Sequence, residues 1–272
     1  MPLDSVVTTG AGLTAFGVPC AGTGECVTTG EVTFDGTTWT LAPAFVGENT
    51  AEPVRFASIA GQYVGVGTEV VTPEPLVYGG RVWTSATGDS WTQVADAPDI
   101  ANARIADVAV GPKGLVAVGS IQSKSPSGAD ASVWTSADGS HWKRLPSQPD
   151  FTDAAMLAIV ARPSGFVAVG QGTNGAAVWT SSDGTSWIRS ADAAGLHDAV
   201  MHGVATVGSG LMAAGYGQDG AAIWTSADAT TWTRLPDDPA FAMAQAVAIA
   251  AIGDEVVVVG GANGQTSPKA II

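Results

Sequence analysis

Short apolar runs alternate with polar residues along the whole chain, and no stretch shows the period of a helix. The segment from 154 to 191 reads as "AMLAIVA", the turn "RPSG", "FVAVG", the loop "QGTNG", "AAVWTS", the turn "SDGTS" and "WIRSA". Alternation places Val178 and Thr180 on one strand face, and Trp179 and Ser181 on the other. The Asp side chain of the last turn is suited to bind nearby backbone amides. The pattern therefore predicts four antiparallel strands joined by tight turns.

This unit recurs. An apolar run that ends in glycine occurs at 26–30, 63–67, 115–119, 166–170, 211–215 and 256–260. Tryptophans at 39, 91, 142, 187 and 232 are spaced by 52, 51, 45 and 45 residues, and four of them follow another tryptophan by eight residues. Periods of ~40–50 residues with about four strand-like runs are typical of propeller blades. The sequence predicts an all-β fold: a six-bladed β-propeller of four-stranded antiparallel blades, in one domain spanning 1–272.

We expect the blades at about 12–42, 53–96, 103–147, 154–191, 199–237 and 244–272 plus 2–9. The sixth unit ends at "SPKAII" and lacks an outer strand. "LDSVVTT", residues 3–9, has strand-like alternation and is expected to supply that strand and close the ring, since an open ring leaves unpaired edges. The alternative is that the sequence lacks natural residues beyond Ile272.

The turn before the second tryptophan of each unit resembles the Asp-box (BNR) repeat of sialidase-like β-propellers, in a form one residue shorter. Full matches are "TFDGTTW" (33–39), "SADGSHW" (136–142) and "SSDGTSW" (181–187), whereas "SADATTW" (226–232) loses the glycine and "SATGDSW" (85–91) displaces the acid to Asp89. The resemblance implies the propeller fold. It also implies that the boxes are structural and lie away from the ligand face, which assigns structural roles to Asp35, Asp138, Asp183, Asp228, Trp39, Trp91, Trp142, Trp187 and Trp232.

Composition narrows the function classes. The chain is 46% hydrophobic and 13% charged, so it can bury a sizeable core. A net charge of −14 repels a phosphate backbone, so no nucleic-acid partner is expected. No apolar run approaches the ~20 residues of a membrane-spanning helix, and "MPLDSVVTTG" has no signal-peptide pattern. We expect a monomer.

Cys20 and Cys26, the two cysteines, flank the glycine-rich turn "AGTGE". We expect a disulfide across a hairpin there, in an extracellular or cell-envelope protein. The alternative is two free thiols in a cytosolic protein. The stretch "VPCAGTGECVTTG" also resembles the cysteine-flanked first hairpin of exported bacterial proteins with such repeats.

Candidate chemistry is sparse. A sialidase needs an arginine triad, a Tyr–Glu nucleophile pair and an acidic general acid, and the Arg-x-Pro segment of that family is absent near the N-terminus. His141 lies in a box turn, and His197 and His202 need not converge, so neither a metal site nor a cofactor is expected.

A binding site is predicted from alignment. Thirteen residues after the box tryptophan, blades 3 to 6 place Arg104, Ala155, Val200 and Gln245 at the start of the inner strand, and blade 2, with three extra linker residues, places Arg55 there. Blades 2 and 3, which contain Arg55 and Arg104, also carry the longest insertions, 68–80 and 120–131. The predicted ligand-binding residues are Arg55, Arg104, Tyr78 and Glu52. The alternative is that both arginines pair with local acids such as Glu52 or Asp99.

The expected function is a non-catalytic binding or scaffold module for a glycan or protein partner at the blade 2–3 face. The alternative is a glycoside hydrolase or other hydrolytic enzyme of the sialidase-like group.

Overall fold

The computed structural model of the chain describes residues 3–9, 12–17, 29–34, 38–41, 52–73, 76–88, 90–94, 98–190, 194–237, 239–252, 255–262 and 269–271. Side chains are described from Arg55 onward, outside a few short gaps. The described strands form five four-stranded sheets and one three-stranded sheet, each antiparallel and each built from consecutive strands. This is the all-β arrangement that the alternating pattern predicts.

The first two sheets contain β1 (Leu3–Thr9), β2 (Gly12–Gly17), β3 (Thr29–Phe34) and β4 (Thr38–Leu41), then β5 (Glu52–Ile59), β6 (Gln62–Pro73), β7 (Leu76–Ser85) and β8 (Thr92–Gln93). The third contains β9 (Ala103–Gly111), β10 (Gly114–Gln122), β11 (Ala129–Ser136) and β12 (Lys143–Arg144).

The fourth and fifth sheets contain β13 (Ala155–Arg162), β14 (Gly165–Gly172), β15 (Gly175–Ser181) and β16 (Ile188–Arg189), then β17 (Val200–Val207), β18 (Gly210–Gly217), β19 (Gly220–Ser226) and β20 (Thr233–Arg234). The last contains β21 (Ala244–Ile252), β22 (Glu255–Ala262) and β23 (Lys269–Ile271). Short 3₁₀ helices precede four first strands, at Pro98–Ile100, Pro149–Phe151, Ala194–Leu196 and Pro239–Phe241.

The contacts divide the chain into two compact units. One comprises 1–117 and 134–144, and the other comprises 118–133 and 145–272. In the second unit the core lies between consecutive sheets: Val167 and Val178 belong to the same buried cluster as Leu211, Ala213 and Trp224. Their strands alternate inward and outward residues, so each sheet contributes one apolar face to each cluster.

The N-terminal strand has a different partner from the one predicted. β1 pairs with β2, from Thr9 opposite Gly12 to Leu3 opposite Gly17, and lies at the edge of the first sheet. The prediction that residues 3–9 form the outer strand of the last sheet is therefore wrong. The physical reason is that a two-residue link makes hairpin pairing with the adjacent segment inexpensive in loop entropy. The apolar run 26–30 aligns with the second strands of the other units. In the structure the second strand of this sheet is β2, and the run 26–30 overlaps only the start of β3.

The tryptophan-bearing turns share one construction. We call the segments 85–91, 136–142, 181–187 and 226–232 the Trp turns. In the second of them, Ser136 Oγ accepts the Gly139 N–H at 2.8 Å, and Asp138 Oδ1 accepts the amides of Ser140 and His141, each at 2.8 Å. The indole of Trp142 donates to the Gly139 carbonyl oxygen at 2.9 Å. The bonds of the Gly139 amide and the Trp142 indole are buried, so they satisfy polar groups that the turn would otherwise bury unpaired.

Candidate functional site

The acids of three Trp turns, Asp138, Asp183 and Asp228, are committed to their own turns. Asp183 Oδ1 accepts the Thr185 and Ser186 amides at 2.7 and 2.8 Å, and Asp228 Oδ1 accepts the Thr230 and Thr231 amides at 2.8 and 2.7 Å. These backbone bonds hold the pKa of both carboxyls well below the usual range. The pKa of Asp138 is also lowered. The chief cause is the His141 side chain, whose Nδ1 lies 2.7 Å from Oδ2, and the backbone amides of His141 and Ser140 add to it. Carboxylates held in this way are poor candidates for proton transfer.

The tryptophans of the third strands are also engaged. Trp134 and Trp179 donate to the carbonyl oxygens of Asp99 and Asp150 at 2.7 Å, and Trp224 donates to that of Gly195 at 2.9 Å. All three side chains are fully buried. Each indole thus fixes the 3₁₀ segment that leads into the first strand of its own sheet, which sets where that strand begins.

Strand register assigns Glu52, not Arg55, to the position that Arg104 occupies. Glu52 lies opposite Thr68, as Ala155 lies opposite Gln171. Arg104 and Ala155 each lie two residues after a residue with positive φ, which is Asn102 (58°) for Arg104 and Asp153 (51°) for Ala155. Arg55 is three residues further along β5, so the predicted alignment of Arg55 with Arg104 is wrong. The cause is the assumed three-residue linker insertion: the extra residues of this unit lie in the β6–β7 hairpin instead.

Arg55 pairs with an acid on the neighbouring inner strand. Its Nε lies 3.9 Å from Asp107 Oδ1, and the two side chains are 25% and 15% exposed. Asp107 also accepts the Val108 amide at 2.8 Å. The acids that the sequence suggested as partners of the two arginines were Glu52 and Asp99. Arg55 pairs instead with Asp107 on β9, whereas Asp99 Oδ2 accepts the backbone amide of Arg144 at 3.4 Å. A paired, largely covered guanidinium is a weak ligand contact.

Arg104 and Tyr78 lie together at the surface. The guanidinium carbon of Arg104 is 4.3 Å from the centre of the Tyr78 ring, and Arg104 is exposed. Tyr78 belongs to β7, opposite Val70 on β6, so the hairpin presents the ring towards β9. Thr68 Oγ1 of the same hairpin donates to the Ile105 carbonyl oxygen at 3.2 Å and secures the two elements. A guanidinium stacked on an aromatic ring keeps its N–H groups free at the edges.

The insertion 68–80 is a long hairpin arm, not an irregular loop. β6 and β7 pair from Tyr63 opposite Ser85 out to Pro73 opposite Leu76. Beyond the contact with Arg104, Val70 and Val71 are 48% and 51% exposed. The arm therefore projects an apolar strand edge next to the exposed Arg–Tyr pair.

Sequence reasoning missed an ion pair inside this arm. Glu69 is buried at 7% exposure, and its Oε1 contacts the Arg81 guanidinium. Glu69 lies opposite Gly79, and Arg81 lies opposite Gly67, which places both side chains on one face of the hairpin. Spacing along one strand shows which face a side chain occupies, but it does not give the cross-strand register that brings these two side chains together. The pair compensates the burial of Glu69.

The insertion 120–131 belongs to the second unit and folds on itself. Ser123 and Ser125 hydroxyls lie 2.5 Å apart, and Gly128 donates to the Ser125 carbonyl oxygen at 2.8 Å. The Ser127 amide donates to Asp153 Oδ1 at 2.8 Å. These contacts give the loop a defined shape through local serine and aspartate bonds.

The histidines do not form a cluster. His141 and His197 are exposed, and His202 stacks on Tyr216 with ring centres 5.4 Å apart. Within the described ranges, no group of three or more His, Cys, Asp or Glu side chains is arranged to hold a metal ion. Asp35, Cys20 and Cys26 lie outside the described residues, as do the side chains of Trp39 and Glu52.

Known proteins share this fold at low sequence identity. No protein-family pattern and no curated protein matches the chain in sequence. A protein of unknown function from Dyadobacter fermentans superposes with a TM-score of 0.67 at 17% identity, covering 96% of this chain and 90% of that one. A sialidase from Trypanosoma rangeli gives 0.65 at 13% identity, covering 98% of this chain and 53% of that one. The chain thus spans about half the length of that enzyme.

A third solved structure, YCF48 bound to a D1 peptide, gives a TM-score of 0.58 at 16% identity and covers 96% of this chain and 75% of that one. Together these likenesses show a sialidase-like β-propeller fold. Propellers of this kind include both carbohydrate-active enzymes and binding proteins. Among the residues described, no helix is long and apolar enough to cross a membrane.

Proposed function

We propose that this protein is a non-catalytic, extracellular or cell-envelope binding propeller whose ligand contacts the surface formed by Arg104 and Tyr78. The six sheets are its six blades in one propeller domain, and the Trp turns are Asp boxes with a structural role. The observation that carries the proposal is the exposed guanidinium held 4.3 Å above the tyrosine ring.

The chemistry of this pair favours a carboxylate-bearing ligand. Stacking on Tyr78 fixes the plane of the Arg104 guanidinium, so its two edges remain available for a bidentate contact. The protein as a whole carries a net charge of −14, so a cationic group held at the surface is a local exception. An acidic sugar or an Asp- or Glu-bearing protein segment has the matching charge and planarity.

The geometry supports binding better than turnover. A glycosidase needs two carboxyl groups ~5–9.5 Å apart that are free to act as acid, base or nucleophile. In the part of the first unit that is described, Glu69 contacts Arg81 and Asp107 contacts Arg55. Both acids are thereby paired with cations and held in place.

The test is a glycan array that includes acidic sugars, run beside an acidic peptide library and a panel of fluorogenic glycosides. Arg104→Ala should weaken binding by ~1.5–3 kcal/mol, the range for a charged hydrogen bond, with the thermal melt unchanged. The matched control is Arg144→Ala, since Arg144 is also exposed. Turnover of any glycoside would favour the hydrolase alternative, and equal binding by wild type and Arg104→Ala would contradict the proposed surface.

A further inference from the structure

Two aromatic rings stack at one end of the fifth sheet. The imidazole of His202 on β17 lies on the phenol ring of Tyr216 on β18, with ring centres 5.4 Å apart and ring planes 26° apart. Both side chains are partly exposed. The register of β17 against β18 shifts between Met201 and Gly203, so His202 is the bulged residue. A bulge re-aims the side chain that it carries, and here that side chain lies against Tyr216.

A hydrogen-bonded pair lies at the same end of this sheet. Gln218 belongs to the two-residue turn between β18 and β19, and its Nε2 donates to Asp198 Oδ2 at 3.0 Å. Both residues are exposed. Asp198 lies two residues before Val200, which is opposite Tyr216. The amide and the carboxylate therefore share one end of the sheet with the two rings.

The segment that carries Asp198 is held by the preceding sheet. The Asp198 amide donates to the Asn174 carbonyl oxygen at 3.2 Å, and His197 forms an isolated bridge with Gly175. A Cβ added at Gly175 would collide with the Leu196 carbonyl oxygen, so the two backbones are in close contact. The exposed carboxylate is thus fixed in place, which lowers the entropy cost of binding a ligand.

The repeat does not require an aromatic pair at this position. Strand register makes Gln171 on β14 and Gly261 on β22 the counterparts of Tyr216. The bulged residues of β13 and β21 are Leu157 and Val247. Both of these sheets form with no ring at either position, so the stacked pair of the fifth sheet is not needed for the fold.

We propose that His202, Tyr216, Gln218 and Asp198 form a binding surface for a neutral sugar ring. An aromatic ring combines an apolar face with a polar edge, which matches the C–H face and the hydroxyl groups of a sugar. The Gln218 amide both donates and accepts, and the carboxylate accepts, whereas each sugar hydroxyl can do both. An anionic ligand is disfavoured by Asp198 and by the neighbouring exposed Asp219.

Fluorine NMR can report on this surface directly. The sequence contains three tyrosines, Tyr63, Tyr78 and Tyr216, so protein made with fluorotyrosine gives three signals that Tyr→Phe variants assign. The probes are cellotetraose, xylotetraose and mannotetraose, added one at a time to millimolar concentration. At least one of them should shift the Tyr216 signal and leave the other two signals unchanged. Gln218→Ala should weaken that binding at least ~5-fold, the loss of about one hydrogen bond.

Two further variants complete the test. His202→Leu introduces the residue type of the fourth sheet, so it should keep the thermal melt while weakening binding. The matched control is Gln93→Ala, because Gln93 is exposed on β8 in the first unit, and its binding should equal that of wild type. The proposal would be overturned by a Tyr216 signal that responds to none of the three sugars, by equal binding of wild type and Gln218→Ala, or by a stronger response to glucuronic acid. The surface formed by Arg104 and Tyr78 is reported separately by the Tyr78 signal.

Discussion

Ala229 has a backbone φ of 68°, and its carbonyl oxygen accepts the indole N–H of Trp232 at 3.1 Å. Gly139 and Gly184, at the same position in their turns, have φ of 80° and 78°. The turn thus requires left-handed backbone, and here a residue with a Cβ adopts it. Such a residue costs ~1–2 kcal/mol relative to glycine.

We therefore expect Ala229→Gly to raise the free energy of unfolding by ~0.5 kcal/mol. The relief of strain exceeds the loss of one buried methyl group and the added flexibility of the unfolded chain. Urea denaturation measures the change. The matched variant Gly184→Ala should lower the free energy of unfolding by ~1 kcal/mol or more, and an Ala229→Gly protein less stable than wild type would contradict the account.

Trp142→Ala should destabilise the protein by ~3–5 kcal/mol, because a large buried aromatic leaves a cavity. Trp142 is 7% exposed, and its indole holds the Gly139 carbonyl oxygen. Ligand binding by the folded fraction should be unchanged. Trp142→Phe keeps most of the buried area but removes the N–H donor, so it should cost less. A Trp142→Ala protein with wild-type stability and lost binding would show that the turn serves recognition.

Arg55 and Arg104 should behave differently. Because Arg55 is paired with Asp107, we expect Arg55→Ala to leave ligand affinity within about twofold of wild type, whereas Arg104→Ala weakens it at least ~10-fold. Arg55→Ala should lower the free energy of unfolding more than Arg104→Ala does. Asp107→Asn keeps the shape of the partner without its charge and separates the ion pair from packing. Equal losses of affinity in both arginine variants would restore Arg55 to the binding surface.

Stability should fall in acid because of the Trp-turn carboxylates. The turn bonds lower the pKa of Asp138, Asp183 and Asp228 in the folded state, whereas an unfolded aspartate titrates near ~4. Their contribution is therefore present above ~pH 4 and is lost as the pH falls towards the folded values. Thermal melts from pH 7 to pH 2 measure this slope. Asp183→Asn should flatten it, and an unchanged slope would contradict the assignment.

The disulfide between Cys20 and Cys26 stays a prediction from the sequence. Mass spectrometry of the non-reduced protein, produced by export to an oxidising compartment, should show a loss of about two daltons and no labelling by a thiol reagent. The reduced protein is the control and should take two labels. Full alkylation of both cysteines under native oxidising conditions would support the free-thiol alternative.

The strands and turns were predictable because their signals are local. Alternation identifies a strand such as Val178–Ser181, and a Ser-x-Asp-Gly segment before a tryptophan identifies the turn. The partner of β1 was not predictable in this way, because alternation marks a strand without naming its neighbour. Residues 3–9 would show the same alternation of apolar and polar residues whether β1 paired with β2 or with the last sheet.

The candidate site was predictable in part. The approach of Tyr78 to Arg104 followed from placing the hairpin 68–80 next to the start of β9. The position of Arg55 could not be predicted in this way. The sequence shows how many residues this unit has beyond the other repeats, but not which element contains them. The β6–β7 arm takes them, and Glu52 keeps the aligned position. The Glu69–Arg81 pair depends on cross-strand register, which a pattern of single residues does not reveal.

The outer strands are very short: β8, β12, β16 and β20 each contain two residues. A short edge offers few unpaired backbone groups to a strand from another molecule. In a chain that is 46% hydrophobic, this limits edge-to-edge polymerisation at high concentration. The small outer strands thus protect a strand-rich protein against aggregation, although Ile188 on one of them is 68% exposed.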